Sequence, residues 1–334
     1  MAGDRSDERL CDDVTASRVS GKGVGTDDAT CTIVARVTAK TALFVSLGLV
    51  GAVFLAVWAA ALRETSASER VAPTLYETFV GAITNFFDTL GIGSYATTTT
   101  LYRARKTIDD RLLPGTLTIG HTIPTFAEAY IFIDQVAVEP TTLVSMIAAA
   151  TAGAVLGAPV VASFSRRKVQ IGMGLALLAV CGILVWRQIG LPEDGAKIGL
   201  SGAALAVAVV ASFVLGALMT IGVGLYAPAL VVVSLLGMNP KAGFPIMMGS
   251  CAFLQALASI PFIRKKAYAP GAAAGLSLGG LPAVLVAAFI VKSLPLYWVK
   301  WLVAVVVVYT AAMMLRAARR GDSRGAGDRR ENPA

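Results

Sequence analysis

Charge is scarce where a soluble protein of this size would carry it. The chain has 334 residues, 56% of them hydrophobic and 15% charged. Residues 1–40 hold six Lys/Arg and seven Asp/Glu, and residues 316–334 hold six Arg and three acids. Only 28 charges remain for the 275 residues between, about one in ten, against roughly one in four in soluble chains. That scarcity excludes a soluble domain and makes the chain a polytopic membrane protein. Histidine is almost absent, His121 being the only one. The cysteines Cys11, Cys31, Cys181 and Cys251 form no C-x-x-C pair, so neither a disulfide framework nor a zinc site is expected, and no metal or cofactor set stands out. Basic patches with interleaved aromatics are missing. The net charge of +8 therefore does not point to nucleic acid, because basic loops in a membrane protein mark its cytoplasmic side. Residues 1–40 are polar throughout, do not read as a signal peptide and are expected to form a loosely ordered tail.

What is present is a series of apolar runs. With about 20 residues needed per membrane-crossing helix, spans are expected near 42–62, 74–102, 115–133, 141–164, 169–187, 200–236, 243–263, 269–291 and 296–315. Two of these are too long for one simple helix, and each is cut by glycines: Gly91-Ile92-Gly93 and Gly222-Val223-Gly224. Non-helical backbone at membrane depth survives only where protein or a polar cavity surrounds it. The two breaks are therefore the strongest pointers to a site.

The breaks are also related. Gly91 to Thr97 aligns with Gly222 to Pro228 at an offset of 131. Ile119-Gly120-His121 aligns with Met248-Gly249-Ser250 at 129, and Gly157-Ala158-Pro159 with Gly280-Leu281-Pro282 at 123. Three anchors in one order imply an internal duplication, 73–190 and 200–316, preceded by an extra helix over 41–63 and followed by a basic tail over 317–334. Arg103–Arg111 and Arg166-Arg167-Lys168 are basic while 134–139 is acidic; in the second half Arg264-Lys265-Lys266 takes the place of the acidic loop. With basic loops inside, the halves have opposite orientation, as in many secondary transporters. The expected fold is an all-α transmembrane bundle of two inverted repeats with Gly-broken helices, and 200–236 should enter and return as a hairpin. The C-terminus is then cytoplasmic.

Few ionisable residues lie in the apolar core: Asp88, His121, Glu128 and, near an end, Lys300. Such residues are expensive in a bilayer and face a cavity or a partner. Asp88, with Asn85 one turn before it, is either an ion-coupling site or a cap on the half-helix that starts near Gly91. His121 is either a satisfied core residue or a hydrogen-bonding and proton-carrying group. Its alignment with Ser250 favours the site. Glu128 shares a helical face with His121 and is expected to snorkel or to be paired, with Gln255 near the equivalent place in the other half. In Thr97-Thr98-Thr99-Thr100 the residues beyond Thr97 are expected to bond back to their own helix. The G-x-x-x-G series Gly271, Gly275, Gly279 suits close helix packing. The Gly-x-Gly pairs lack the strand and lysine of a nucleotide loop.

Half-helices that begin at such breaks would present free N–H groups and about half a positive charge, an anion site built without lysine. The duplicated breaks, the segment Gly81 to Ser94 and the stretch Pro114-Gly115-Thr116-Leu117 with Gly120-His121 resemble the TauE/SafE family of sulfite exporters and sulfonate permeases over about 75–315. Ser94 stands where many members have a glycine, and Thr97 where many have a proline that Pro228 retains. The resemblance implies a non-enzymatic transporter of small sulfur-containing anions in a bacterial inner membrane, with the bilayer as its surroundings, no nucleic-acid partner, and a homodimer compatible with it. Read together with the polar core, it implies substrate contacts from Gly91, Gly93, Ser94, Thr97, Gly222, Gly224, Tyr226, His121, Ser250 and Gln255, with Asp88 and Asn85 coupling an ion. Alternatives are proton- or Na⁺-coupled uptake of an organic sulfonate or carboxylate, and a non-transport assembly role.

Overall fold

The computed structural model describes residues 26–64, 70–161, 165–190, 197–219 and 225–331, and no strand occurs among them. The chain divides into two units, residues 1–46 and residues 47–334. In the first unit the described residues are the opening turns of helix α1 (Thr26–Arg63), so residues 26–40 are helical rather than loose. The apolar composition of residues 41–63 is thus only part of a longer helix.

In the second unit the elements after α1 are α2 (Leu75–Thr89), α3 (Ser94–Ala104), α4 (Leu113–Gln135), α5 (Pro140–Val161), α6 (Arg166–Gly190), α7 (Gly202–Met219), α8 (Tyr226–Leu235), α9 (Gly243–Arg264), α10 (Pro270–Ser293) and α11 (Leu296–Glu331). A 3₁₀ turn at Pro240–Ala242 precedes α9. Six helices among the described residues are long and apolar enough to cross a membrane. The protein is a multi-pass helical membrane protein. Helix α11 continues to Glu331, past the expected end at 315 and through most of the basic tail.

Both long interrupted stretches are hairpins. Helix α2 starts with a capping box: Thr74 Oγ1 accepts the Glu77 N–H and the Glu77 carboxylate accepts the Thr74 N–H. It ends in a Schellman motif, with the Gly91 N–H on the Asp88 carbonyl at 2.7 Å and the Ile92 N–H on the Phe87 carbonyl at 3.1 Å. Gly91 and Gly93 have φ of +92° and +88°, a region costly for any side chain, and this is why glycine stands at both places. The chain then reverses. The Tyr76 hydroxyl near the start of α2 donates to the Leu101 carbonyl near the end of α3 at 2.8 Å, and Arg105 lies over the Tyr76 ring. The first interrupted stretch therefore turns back. In the second, the Asn239 N–H reaches the Lys197 carbonyl at 2.9 Å, so the chain leaves α8 beside its entry to α7, as the charge pattern requires. Gly222 and Gly224 lie outside the described residues.

Helix directions follow from side-chain pairings. Along α2 and α10, Gly275 meets Glu77, Gly279 meets Thr78 and Ala82, and Gly280 meets Asn85, so the two run parallel. Their counterparts α7 and α5 also run parallel, from Thr142–Leu200 to Ala150–Gly216 and Gly157–Ala217. Helix α4 is antiparallel to its own counterpart α9, with Phe132 stacked on Phe244 and Thr122 bonded to Ser259. Helix α6 is antiparallel to α11, with Gly174 against Leu315 and Cys181 Sγ at 3.6 Å from the Ala304 carbonyl. Helix α2 packs on α10 as α7 packs on α5, and α10 on α4 as α5 on α9. A two-fold axis perpendicular to the helices generates this pattern, because each self-paired helix meets its equivalent head to tail. From Leu47 onward α1 lies along α4, with Gly51 on Phe126 and Trp58 in a cluster with Ile119 and Ile263.

These directions put Arg103, Arg105, Lys106, Arg111, Arg167 and Lys168 at one end of the bundle, together with Arg264-Lys265-Lys266, Arg316 and Arg319. The other end has Asp134, Glu139, Lys197 and Lys241, and the exposed aromatics Trp186, Tyr297 and Trp298 of an interfacial belt. There Glu139 caps α5, accepting the Thr141 and Thr142 N–H groups. Burial alone would raise its carboxyl, but the hydrogen bonds from Thr142 and Thr141 outweigh this and hold it below the usual carboxylate range.

Candidate functional site

The short helices α3 and α8 start at Ser94 and Tyr226, both buried inside the bundle, and run outward, so both point their N-terminal ends inward. Around them lies a buried polar cluster drawn mainly from α2 and α4. Asp88 and Glu128 are 1% and 0% exposed. Among the described residues neither acid makes a salt bridge; the bridges found are Arg70–Glu77 and Arg103–Asp110. Glu128 Oε1 accepts the Thr89 hydroxyl at 2.6 Å, while its Oε2 has no hydrogen-bond partner. Glu128 thus neither snorkels nor pairs with a cation, because its backbone lies too far inside the bundle for the short carboxylate stem to reach water.

Asp88 sits where α3 begins. Its carboxylate faces the Ser94 N–H and Oγ, and the Tyr226 hydroxyl from the first residue of α8 points at Oδ2 from 3.4 Å. The α3 N-cap is Gly93 and carries no side-chain cap bond, and Ser94 Oγ is buried without a hydrogen-bond partner. Asp88 therefore faces the helix terminus without capping it in the usual sense. Its repeat counterpart is Met219, and that of Glu128 is Leu257, so the acidic character belongs to one repeat alone.

Asn85 and His121 form a closed chain of bonds. Asn85 Nδ2 donates to the Gly81 carbonyl at 2.8 Å, which turns Oδ1 towards His121 Nδ1 at 2.9 Å. An acceptor there requires Nδ1–H, so in the neutral ring Nε2 accepts the Thr98 hydroxyl at 3.1 Å. The Tyr95 ring packs on the imidazole with centroids 5.7 Å apart. Both polar ends of Asn85 and both ring nitrogens are thereby used within the protein. Asn85 thus holds the His121 ring in place, and His121 is a satisfied core residue in this structure.

Thr97, expected at the site, bonds back to the Ser94 carbonyl at 2.8 Å, and Thr99 and Thr100 do likewise to Tyr95 and Ala96. Thr98, expected to bond back, is the one that turns inward. Ser250 is buried but donates to the Ile246 carbonyl at 2.7 Å. Gln255 Oε1 and Thr125 Oγ1 are buried and lack hydrogen-bond partners. The structure thus brings Asp88, Ser94, Tyr226 and the Gly91 tip together, with Gly91 facing Leu230, Met247 and Val306 of three other helices. Glu128, singled out in the sequence but not assigned to the site, joins the cluster through Thr89, and Thr89 and Thr98 are the residues sequence did not point to.

No family profile, curated protein or solved structure matches the chain.

Proposed function

We propose that this protein is a secondary transporter of small anions, sulfur-containing ones such as sulfite, sulfoacetate or an organosulfonate by the family resemblance. It works by alternating access around the two hairpin tips. One observation carries the reading: two short helices from opposite repeats direct their N-terminal ends to the same buried point. Each such end contributes about half a positive charge and unsatisfied N–H donors. These suit an oxyanion in a region where, among the described residues, no Lys or Arg reaches the acids. Inverted repeats exchange inward- and outward-open states with little new structure. We assign the basic end to the cytoplasm, and with it the C-terminus; a bacterial inner membrane is proposed from the family resemblance alone. For an anion moving without a coupled cation, an inside-negative potential would favour exit by about 2.3 kcal/mol per charge per 100 mV. The buried acids Asp88 and Glu128 favour the ion-coupled variant of this reading over a simple pore.

The test is flux of sulfite, sulfoacetate and methanesulfonate into liposomes holding the purified chain, compared with Gly91→Ala. Saturable flux that falls in a folded Gly91→Ala protein supports the reading. No flux of any of these anions with folded wild type refutes it, and an assembly role takes its place.

A further inference from the structure

Resting on the transporter reading above, we infer that the Asp88 carboxylate is a tethered competitor for the transported anion, so that each anion is admitted together with a proton on Asp88. The donors a small oxyanion would use at the tips are the Ser94 N–H and Oγ, which open α3, and the Tyr226 hydroxyl, which opens α8. Both residues face the protein's own carboxylate. An ionised Asp88 holds the place of a bound anion, and a second negative charge beside it is opposed by Coulomb repulsion in a medium of low dielectric. Once Asp88 carries a proton, that repulsion is gone and the carboxyl becomes a hydrogen-bond donor to the incoming anion. A second feature points the same way. Ser94 Oγ, 1% exposed, makes no hydrogen bond of ordinary geometry, so it faces that carboxylate only loosely and can pass its hydroxyl to a ligand.

The balance is simple. A proton joins Asp88, the anion takes the Ser94 and Tyr226 donors, and both leave on the far side, so a monoanion moves without net charge. Glu128 is the neighbouring carboxyl to which the proton can pass, since its Oε2 has no hydrogen-bond partner. The ionisable groups facing Asp88 are Tyr226 from α8, Cys251 from α9, Glu128 from α4 and Tyr95 from α3. Helix α10, packed along α2, has no ionisable residue between Pro270 and Val291. None of the groups facing Asp88 is a cation that would hold it ionised without a proton.

The probe is methanesulfonate, which stays a monoanion through the neutral and mildly acidic range. The full chain is placed in phosphatidylethanolamine–phosphatidylglycerol liposomes with a trapped pH dye and a potassium–valinomycin voltage clamp. At zero voltage a tenfold proton gradient should sustain about a tenfold methanesulfonate gradient, and imposed voltage should move no net anion. The apparent KM should rise about tenfold for each pH unit above the titration of Asp88, as one linked proton requires. In Asp88→Asn the pH dependence should flatten, proton movement should stop, and whatever flux remains should follow voltage. Glu128→Gln should slow proton-coupled net flux more than anion-for-anion exchange. Wild-type flux that ignores the pH gradient and follows voltage overturns the inference while leaving the transporter reading intact. So does proton-driven accumulation that persists in Asp88→Asn. If Asp88→Asn does not fold, the wild-type comparison of pH and voltage decides the matter. No anion flux in wild type overturns the transporter reading itself.

Discussion

The threonine run on α3 offers a sharp test of the polar cluster, because four neighbours of one chemistry have two different fates. Thr98→Val preserves the branched shape and removes one hydroxyl. That hydroxyl is the hydrogen-bond partner of His121 Nε2, at 3.1 Å, inside a fully buried site. The Asn85 side chain holds the other nitrogen as a donor, so the ring cannot turn to find a substitute. An acceptor left unpaired at this depth costs about 1–3 kcal/mol, a factor of roughly 5 to 150 in the folding equilibrium. Thr99→Val removes only a bond to the Tyr95 carbonyl within α3, and Thr100→Val only the bond to Ala96 at an exposed position. Both should stay within about 0.5 kcal/mol of wild type. Equilibrium unfolding in mixed dodecylmaltoside–SDS micelles, read by circular dichroism, gives the comparison directly. If Thr98→Val unfolds at the same SDS fraction as Thr99→Val, the His121 network does not stabilise the first hairpin and the site description is wrong.

Three further outcomes follow from other parts of the bundle. Gly91→Ala meets no atom closer than 3.4 Å, so its cost is backbone strain alone, about 1–2 kcal/mol, whereas a Cβ on Gly279 would overlap the Thr78 carbonyl and must part α2 from α10; Gly279→Ala should therefore unfold at lower SDS than Gly91→Ala. Lys266 closes α9 at φ +51°, so Lys266→Gly should raise the thermal midpoint slightly, and a lowered midpoint would contradict the left-handed cap. Glu139 has its folded carboxyl below the unfolded value, so its contribution is present above the ordinary carboxylate range and fades as pH falls through the folded value. Melting curves from neutral to acid pH should show part of the acid destabilisation missing in Glu139→Gln, and parallel curves would refute the cap.

Much of this architecture was legible in residues alone, since the signals are local or repeated. Apolar length marks helices, Gly91 and Gly93 mark a helix break, and the three aligned anchors mark a duplication. The loop charges even required the return of 200–236, now seen as the Lys197–Asn239 pairing. The site was read less well. Thr97 and Thr98 are indistinguishable by composition, and only the position of α3 against α4 decides which of two residues, about 100° apart around a helix, meets His121. Glu128 looked like an end residue able to reach water, and the depth of α4 within the bundle removes that option.

Sequence by itself determined that this is an all-helical, multi-pass membrane protein with a glycine break at Gly91-Ile92-Gly93, because bilayer cost and backbone sterics act on each residue without reference to its partners. The tertiary structure decided that both short helices start inside the bundle and that Asp88 meets Ser94 and Tyr226 there. It also decided that His121 is consumed by Asn85 and Thr98. Those outcomes depend on which faces of α2, α3, α4 and α8 are turned together, a choice made by packing between segments more than a hundred residues apart in the case of Asp88 and Tyr226.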